Sequence, residues 1–186
     1  MKKDLTRALV AVLACTLLLG LAYPLVVTGI AQVAFGVKAD GDPNLIAHDV
    51  HGDPRYFQPR PSQTDYSATG TFFSNRGPNS AVGRFFFRDA LNAYMALESR
   101  YDPGLSKAKV PVDAVTTSAS GVDPHISKAN AAIQAHRIAA VRHLPLDRVD
   151  KLIADNTDGR FLGVIGEPGV NVLELNLALD KKAPAR

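Results

Sequence analysis

Apolar and polar positions divide this chain unevenly. Residues 8–37 carry no charged side chain, a run of 30 residues. As a helix rising 1.5 Å per residue it would span about 45 Å, enough for a hydrocarbon core of about 30 Å and both interfaces. Beyond it the apolar positions fall into shorter patterns. Residues 38–82 are rich in Gly, Pro, Asn, Asp and Ser and predict loops with extended pieces, one over 56–62. A helix is predicted over 85–97, broken by Asp102-Pro103-Gly104. The β-branched alternation over 110–117 predicts a strand. Ser127 is placed to cap a helix reaching Arg142, with Ala129, Ala132, Ile133, His136 and Ala140 on its inward face. Pro145 opens another helix, with Leu146, Val149 and Ile153 inward, ending near Gly159. Short strands are predicted over 161–165 and over 172–179, where Leu173, Leu175, Leu177 and Leu179 alternate with other residues. The sum is an α+β domain preceded by one N-terminal transmembrane helix. The expected boundaries are a cytoplasmic stub at 1–7, a transmembrane helix at 8–35 and an extracytoplasmic domain at 36–186.

Charge gives the apolar run a direction. Lys2, Lys3 and Arg7 precede it, and Lys38 is the one cation in the following 15 residues. Positive charge is retained on the cytoplasmic side, so the N-terminus is expected inside and the domain outside. Two other readings fit less well. A cleaved signal peptide would use Gly20-Leu21-Ala22, yet apolar residues continue to Phe35. Lipidation at Cys15, the single cysteine, would be followed by a polar tether rather than twenty more apolar residues. Within the span, Pro24 removes a helix hydrogen bond, and Gly20 and Gly29 remove bulk; packing of these three positions against a partner helix and the ordinary frequency of Gly and Pro in membrane helices both account for them. The net charge of +3 and pI near 9.1 come partly from the stub and do not point to nucleic acid.

Several stretches have residue types that do chemistry. His48-Asp49-Val50-His51-Gly52-Asp53 holds ligand types at close spacing, but a metal needs three or four convergent ligands, and a polar loop is expected. Asp40, Asp42, Asp49 and Asp53 read as a solvated acidic loop just past the helix. Ser118, Ser120, Asp123 and His125 crowd eight positions, but hydrolase triads draw on separated segments, and a turn is expected here. His136 reads as a satisfied core histidine, and His143 as an exposed group at a helix end. Gly159, Gly163, Gly166 and Gly169 lack the Gly-Lys-Ser/Thr of a P-loop and read as turn glycines.

Four stretches together resemble a known family, the C subunit of the Kdp-type potassium-transporting ATPase. They are Tyr23-Pro24-Leu25-Val26-Val27-Thr28-Gly29-Ile30-Ala31-Gln32; Tyr56-Phe57 with Arg60-Pro61-Ser62 and Ser74-Asn75-Arg76-Gly77-Pro78; Val110-Pro111-Val112-Asp113 with 117–127; and 166–180, beginning Gly166-Glu167-Pro168-Gly169. Between Gly36 and Tyr56 the chain is shorter than the family pattern, with Asn44-Leu45-Ile46-Ala47 in place of a longer element. The resemblance implies a non-catalytic accessory subunit of a high-affinity, ATP-driven potassium uptake pump in the cell membrane. It further implies roles in assembly and as a catalytic chaperone raising the ATP affinity of the ATPase subunit. The implied partners are a P-type ATPase subunit, a channel-like potassium-binding subunit and the lipid bilayer. ATP and potassium belong to the complex, with no cofactor assigned to this chain itself. The resemblance also implies nucleotide contact at Gln134, where the helix pattern alone reads a surface glutamine. The competing reading is a membrane-anchored extracytoplasmic binding protein or hydrolase acting alone, which would need a concave site near 118–125.

Overall fold

A computed structural model describes residues 2–36, 46–70, 72–77 and 79–182. Lys38, Asp40, Asp42, Asn44 and Leu45 lie outside the described residues, as does Pro78. Two compact units are present, Met1–Leu45 and Ile46–Arg186.

The described residues of the first unit form one continuous helical rod. It consists of α1 (Lys2–Leu17), a π-helical turn (Leu18–Ala22) and α2 (Tyr23–Phe35). The helix therefore begins inside the basic stub. The π turn has a local cause. Pro24 has no N–H to give to Gly20, and its ring would strike that carbonyl in a regular α-helix. Widening the preceding turn relieves the clash, and Tyr23 N–H bonds back to Leu18 O instead. The rod ends at Gly36, whose φ of 53° favours glycine. No residue of its three segments is buried, and the rod is long and apolar enough to cross a membrane. Gly20 falls in the π turn and Gly29 on α2, both exposed.

The second unit is α+β, as the pattern predicts. Its helices are α3 (Ala81–Glu98), α4 (Lys128–Arg142), α5 (Leu146–Asp155) and α6 (Val172–Lys182). Its strands are β1 (His125–Ile126), β2 (Thr157–Asp158) and β3 (Gly169–Asn171), antiparallel in the order β1-β3-β2. Ser80 caps α3 and Ser127 caps α4 through side-chain oxygens that accept from Gly83 and Asn130 N–H. His143 ends α4 in the left-handed region. The core is formed by Phe57, Ile126, Ala131, Ala135, Ile138, Val149, Leu152, Val170, Leu175 and Leu179.

Several local expectations are corrected. Residues 172–179 are the start of α6, not a strand. Asn171 Oδ1 accepts from Glu174 N–H and caps the helix, an acidic residue sits in its first turn, and Lys181 and Lys182 sit in its last. The buried set Val172, Leu175, Asn176 and Leu179 follows helical spacing, while Leu177 is exposed. Residues 110–117 form a 3₁₀ turn (Val112–Ala114) rather than a strand. Asp113 leaves that turn to accept from Ser127 N–H and Oγ and from Asn130 Nδ2. Residues 161–165 close a tight hairpin with one bridge, Phe161 to Ile165, instead of a strand. On α4 the inward face is also reversed. Asn130, Ala131, Gln134, Ala135, Arg137 and Ile138 are buried, whereas Ala129, Ala132 and Ala140 are exposed and His136 is only half-buried. Leu146 is exposed on α5, and that helix stops at Asp155 rather than near Gly159.

Candidate functional site

Half of the buried face of α4 is polar, and Gln134 and Arg137 there bond to one segment, residues 54–58, which leaves a turn at 54–56 and runs on through 57–58. Extended backbone points successive N–H and C=O pairs to opposite sides, and a neighbouring strand usually takes them. Here two side-chain amides stand in for the strands. On one side Asn176 of α6 accepts from Phe57 N–H at 2.9 Å and donates to Phe57 O at 3.0 Å. On the other, Gln134 of α4 accepts from Gln58 N–H at 2.7 Å and donates to Gln58 O at 3.1 Å. The pairing fixes Phe57, fully buried, in the core between them.

A charged layer lies behind Gln134. Arg137 donates from Nε to both carboxylate oxygens of Glu98 at 3.0 and 3.2 Å. Its Nη1 reaches Pro54 O and Tyr56 O, and its Nη2 donates to Gln134 Oε1 at 2.9 Å. The two ionic side chains are 0% and 1% exposed. Burial pushes the Glu98 carboxyl up, and the Arg137 guanidinium opposes that push. Gln134 Nε2 also donates to Asn130 Oδ1, which in turn accepts from the Tyr94 hydroxyl. Burial raises the Tyr94 phenol. All four hydrogen-bonding positions of the Gln134 amide are thus occupied. Gln134 is a buried residue, 1% exposed, and not a surface glutamine.

Gln134, Gln58, Tyr94, Phe86 and Asp89 line a groove of about 480 Å³ between α3, α4 and the extended segment. Asp89 is its one charged lining residue. A second hollow, about 340 Å³, is lined by Asp49, Asp53, Tyr56, Asn176 and Asp180 among others. The Arg55 side chain donates to Asp53 and holds its carboxyl down at about 2. His51 pairs with Asp49 at 2.9 Å. Among the described residues no three His, Cys, Asp or Glu side chains converge as metal ligands.

The stretch 118–125 forms turns. Ser118 is buried and accepts from Gly121 N–H, and Asp123 accepts from His125 N–H. His125 bridges two acids, with Nε2 at 2.8 Å from Asp158 and Nδ1 at 3.5 Å from Asp123. The Asp123 carboxylate raises the imidazole pKa, burial opposes the rise, and Asp158 adds to it. Burial also pushes Asp123 up, but hydrogen bonds from the His125 ring and backbone, with Arg60 nearby, outweigh it and hold the carboxyl low.

Sequence reasoning missed Asn130, Arg137, Glu98 and Asn176. The available signal was spacing on α4: Asn130 and Gln134 are four apart, so the two amides lie on one helix face.

The described residues thus define a class: a small α+β domain with closed internal polar networks, accompanied by a helix able to cross a membrane. The family model for KdpC, the K+-transporting ATPase c chain, matches residues 5–181. A potassium-transporting ATPase KdpC subunit from Polaromonas naphthalenivorans is 46% identical, covering 99% of this chain and 97% of its own. One from Caldanaerobacter subterraneus subsp. tengcongensis is 41% identical over 96% and 95%, and one from Mycobacterium bovis is 41% identical over 97% and 100%. The chain belongs to the KdpC family.

Proposed function

We propose that this chain is a non-catalytic accessory subunit of an ATP-driven potassium uptake pump. It assembles with a P-type ATPase subunit and a channel-like potassium-binding subunit and raises the ATPase subunit's affinity for ATP. The observation that carries this reading is the family match across 5–181, which spans both the rod and the α+β unit. The disposition of candidate reactive groups supports it. Ser118, Ser127 and Asp123 each accept from backbone N–H groups and hold turns or caps. The flanking charges of the apolar rod support an N-terminus in the cytoplasm and a domain outside.

That orientation separates the domain from cytoplasmic ATP. Its effect on ATP affinity therefore passes through a partner with two states. Direct nucleotide contact at Gln134 is the second reading, favoured by its place in the 480 Å³ groove. The groove's Asp89 repels a triphosphate, and a nucleotide would have to displace Gln58 from the amide.

The test is ATP dependence of hydrolysis by the pump purified with and without this chain. A lower KM for ATP when the chain is present supports the reading, and an unchanged KM with normal assembly overturns the chaperone role. Protease treatment of intact cells tests orientation, because a domain protected until lysis would place it inside.

A further inference from the structure

The small sheet is held across its strands as well as along them. β1 and β2 are its two edges and do not pair with each other, since the order is β1-β3-β2. The His125 side chain joins them. It leaves β1, crosses the middle strand and brings Nε2 to 2.8 Å from Asp158 on β2. The crossing point is Gly169 of β3, which is the register partner of Asp158. A Cβ at Gly169 would stand 3.2 Å from both Cβ and Cδ2 of His125, so the absence of a side chain there gives the imidazole its path.

The strands beneath this bridge are short. β2 has two residues and β3 three, which leaves few ladder bonds between them. Residues 158–167 are exposed throughout, so no core packing holds them. Elements with few buried contacts open at low free-energy cost.

Two carboxylates face the two ring nitrogens. Asp158 lies at Nε2, and Asp123 lies 3.5 Å from Nδ1. Arg60 backs Asp123 at 3.4 Å, and Gly169 brings no charge from β3. Ionised carboxylates only accept hydrogen bonds. A neutral imidazole has one N–H, so it donates to one carboxylate and turns a lone pair on the other. A doubly protonated ring donates to both. The two contacts are therefore satisfied together only in the charged form. The ring is 35% exposed, so protons reach it from solvent.

We propose that His125 is a proton-operated strap across the sheet. With both nitrogens protonated it ties β2 to β1 and keeps residues 157–168 closed. With one proton gone, β2 opens more often and that segment is released. Under the orientation proposed above, the operating proton comes from the medium outside the cell. The outside source rests on that orientation, whereas the strap itself is independent of it.

The test is hydrogen exchange of the full chain in detergent, read by mass spectrometry as protection factors, which divide out the intrinsic effect of pH. The ring is charged at pH 5.5, and its charge is lost as pH rises through a folded value raised above 6.5, with Asp123 the largest cause. Peptides covering 157–171 should lose protection about two- to fivefold between pH 5.5 and 8.5, while peptides from α4 and α5 keep theirs. Asp158→Asn offers the ring both a donor and an acceptor, so the neutral ring holds it too and the pH dependence should vanish. His125→Gln should leave 157–171 weakly protected at both pH values. Equal wild-type protection at the two pH values overturns the inference, and so does a pH dependence that survives either substitution. A parallel loss in α4 and α5 marks global loosening and also overturns it. The subunit reading stands or falls separately, on the ATP and protease experiments above.

Discussion

Gln134→Met is the substitution that most directly tests how residues 54–58 are held. Methionine keeps the length and volume of glutamine but has no N–H and only a weak acceptor. Three groups lose their partner: Gln58 N–H, Gln58 O and one N–H of Arg137 Nη2. Asn130 Oδ1 keeps the Tyr94 hydroxyl and is little affected. The Gln58 carbonyl is half-buried and water can reach it on opening. The two donors remain, at about 1.5–2 kcal/mol each for a buried group left unmade, so the expected loss is about 3 kcal/mol. For a domain of this size that lowers the melting temperature by about 10 °C. The assay is thermal unfolding of the full chain in detergent, with exposed Ala132→Ser as the control. A shift below about 2 °C would refute the reasoning: the segment would then be held by Phe57 packing and Asn176 alone.

Other outcomes follow from the same contacts. Arg137→Met should cost about 3–5 kcal/mol, because it strands the Glu98 carboxylate in the interior, and urea unfolding measures it. Gly121→Ala should cost about 2 kcal/mol, since φ is 76° and a Cβ would stand 2.6 Å from Thr64 Oγ1; the same unfolding curve reads it. His125 has a raised folded-state pKa, so its stabilising charge is fully present below about 6.5 and is lost as pH rises through the folded value. Wild type should therefore exceed His125→Asn in stability at pH 5.5 by more than at pH 8.5, and equal margins at both would contradict the pairing.

The apolar rod and the cap at Ser127 were legible because each depends on local chemistry: charge-free length, and a hydroxyl ahead of a helical pattern. The reversed face of α4 was not legible from hydrophobicity. Arg137 and Gln134 are buried only because Glu98, Gln58 and Pro54 arrive from elsewhere in the chain to satisfy them. At 172–179 two periodicities competed. Alternate leucines suggested a strand, while Asn171 followed by Glu174 was a capping pattern, and the cap with good helix formers prevailed. At 110–117 the β-branched preference yielded to a turn that lets Asp113 reach the start of α4. Of the candidate site, only Gln134 was singled out in advance, and that came through resemblance rather than patterning.

The amide pairing around residues 54–58 also imposes an order in time. Gln134 lies 76 positions after Gln58, and Asn176 lies 119 positions after Phe57. At synthesis rates of about 5–20 residues per second, Asn176 is made roughly 6–24 s after the segment it pairs with. Contacts between α4 and α5 are local and can form sooner. Residues 54–58 gain both of their amide partners only once α6 has been made, so their ordering waits on the arrival of α6.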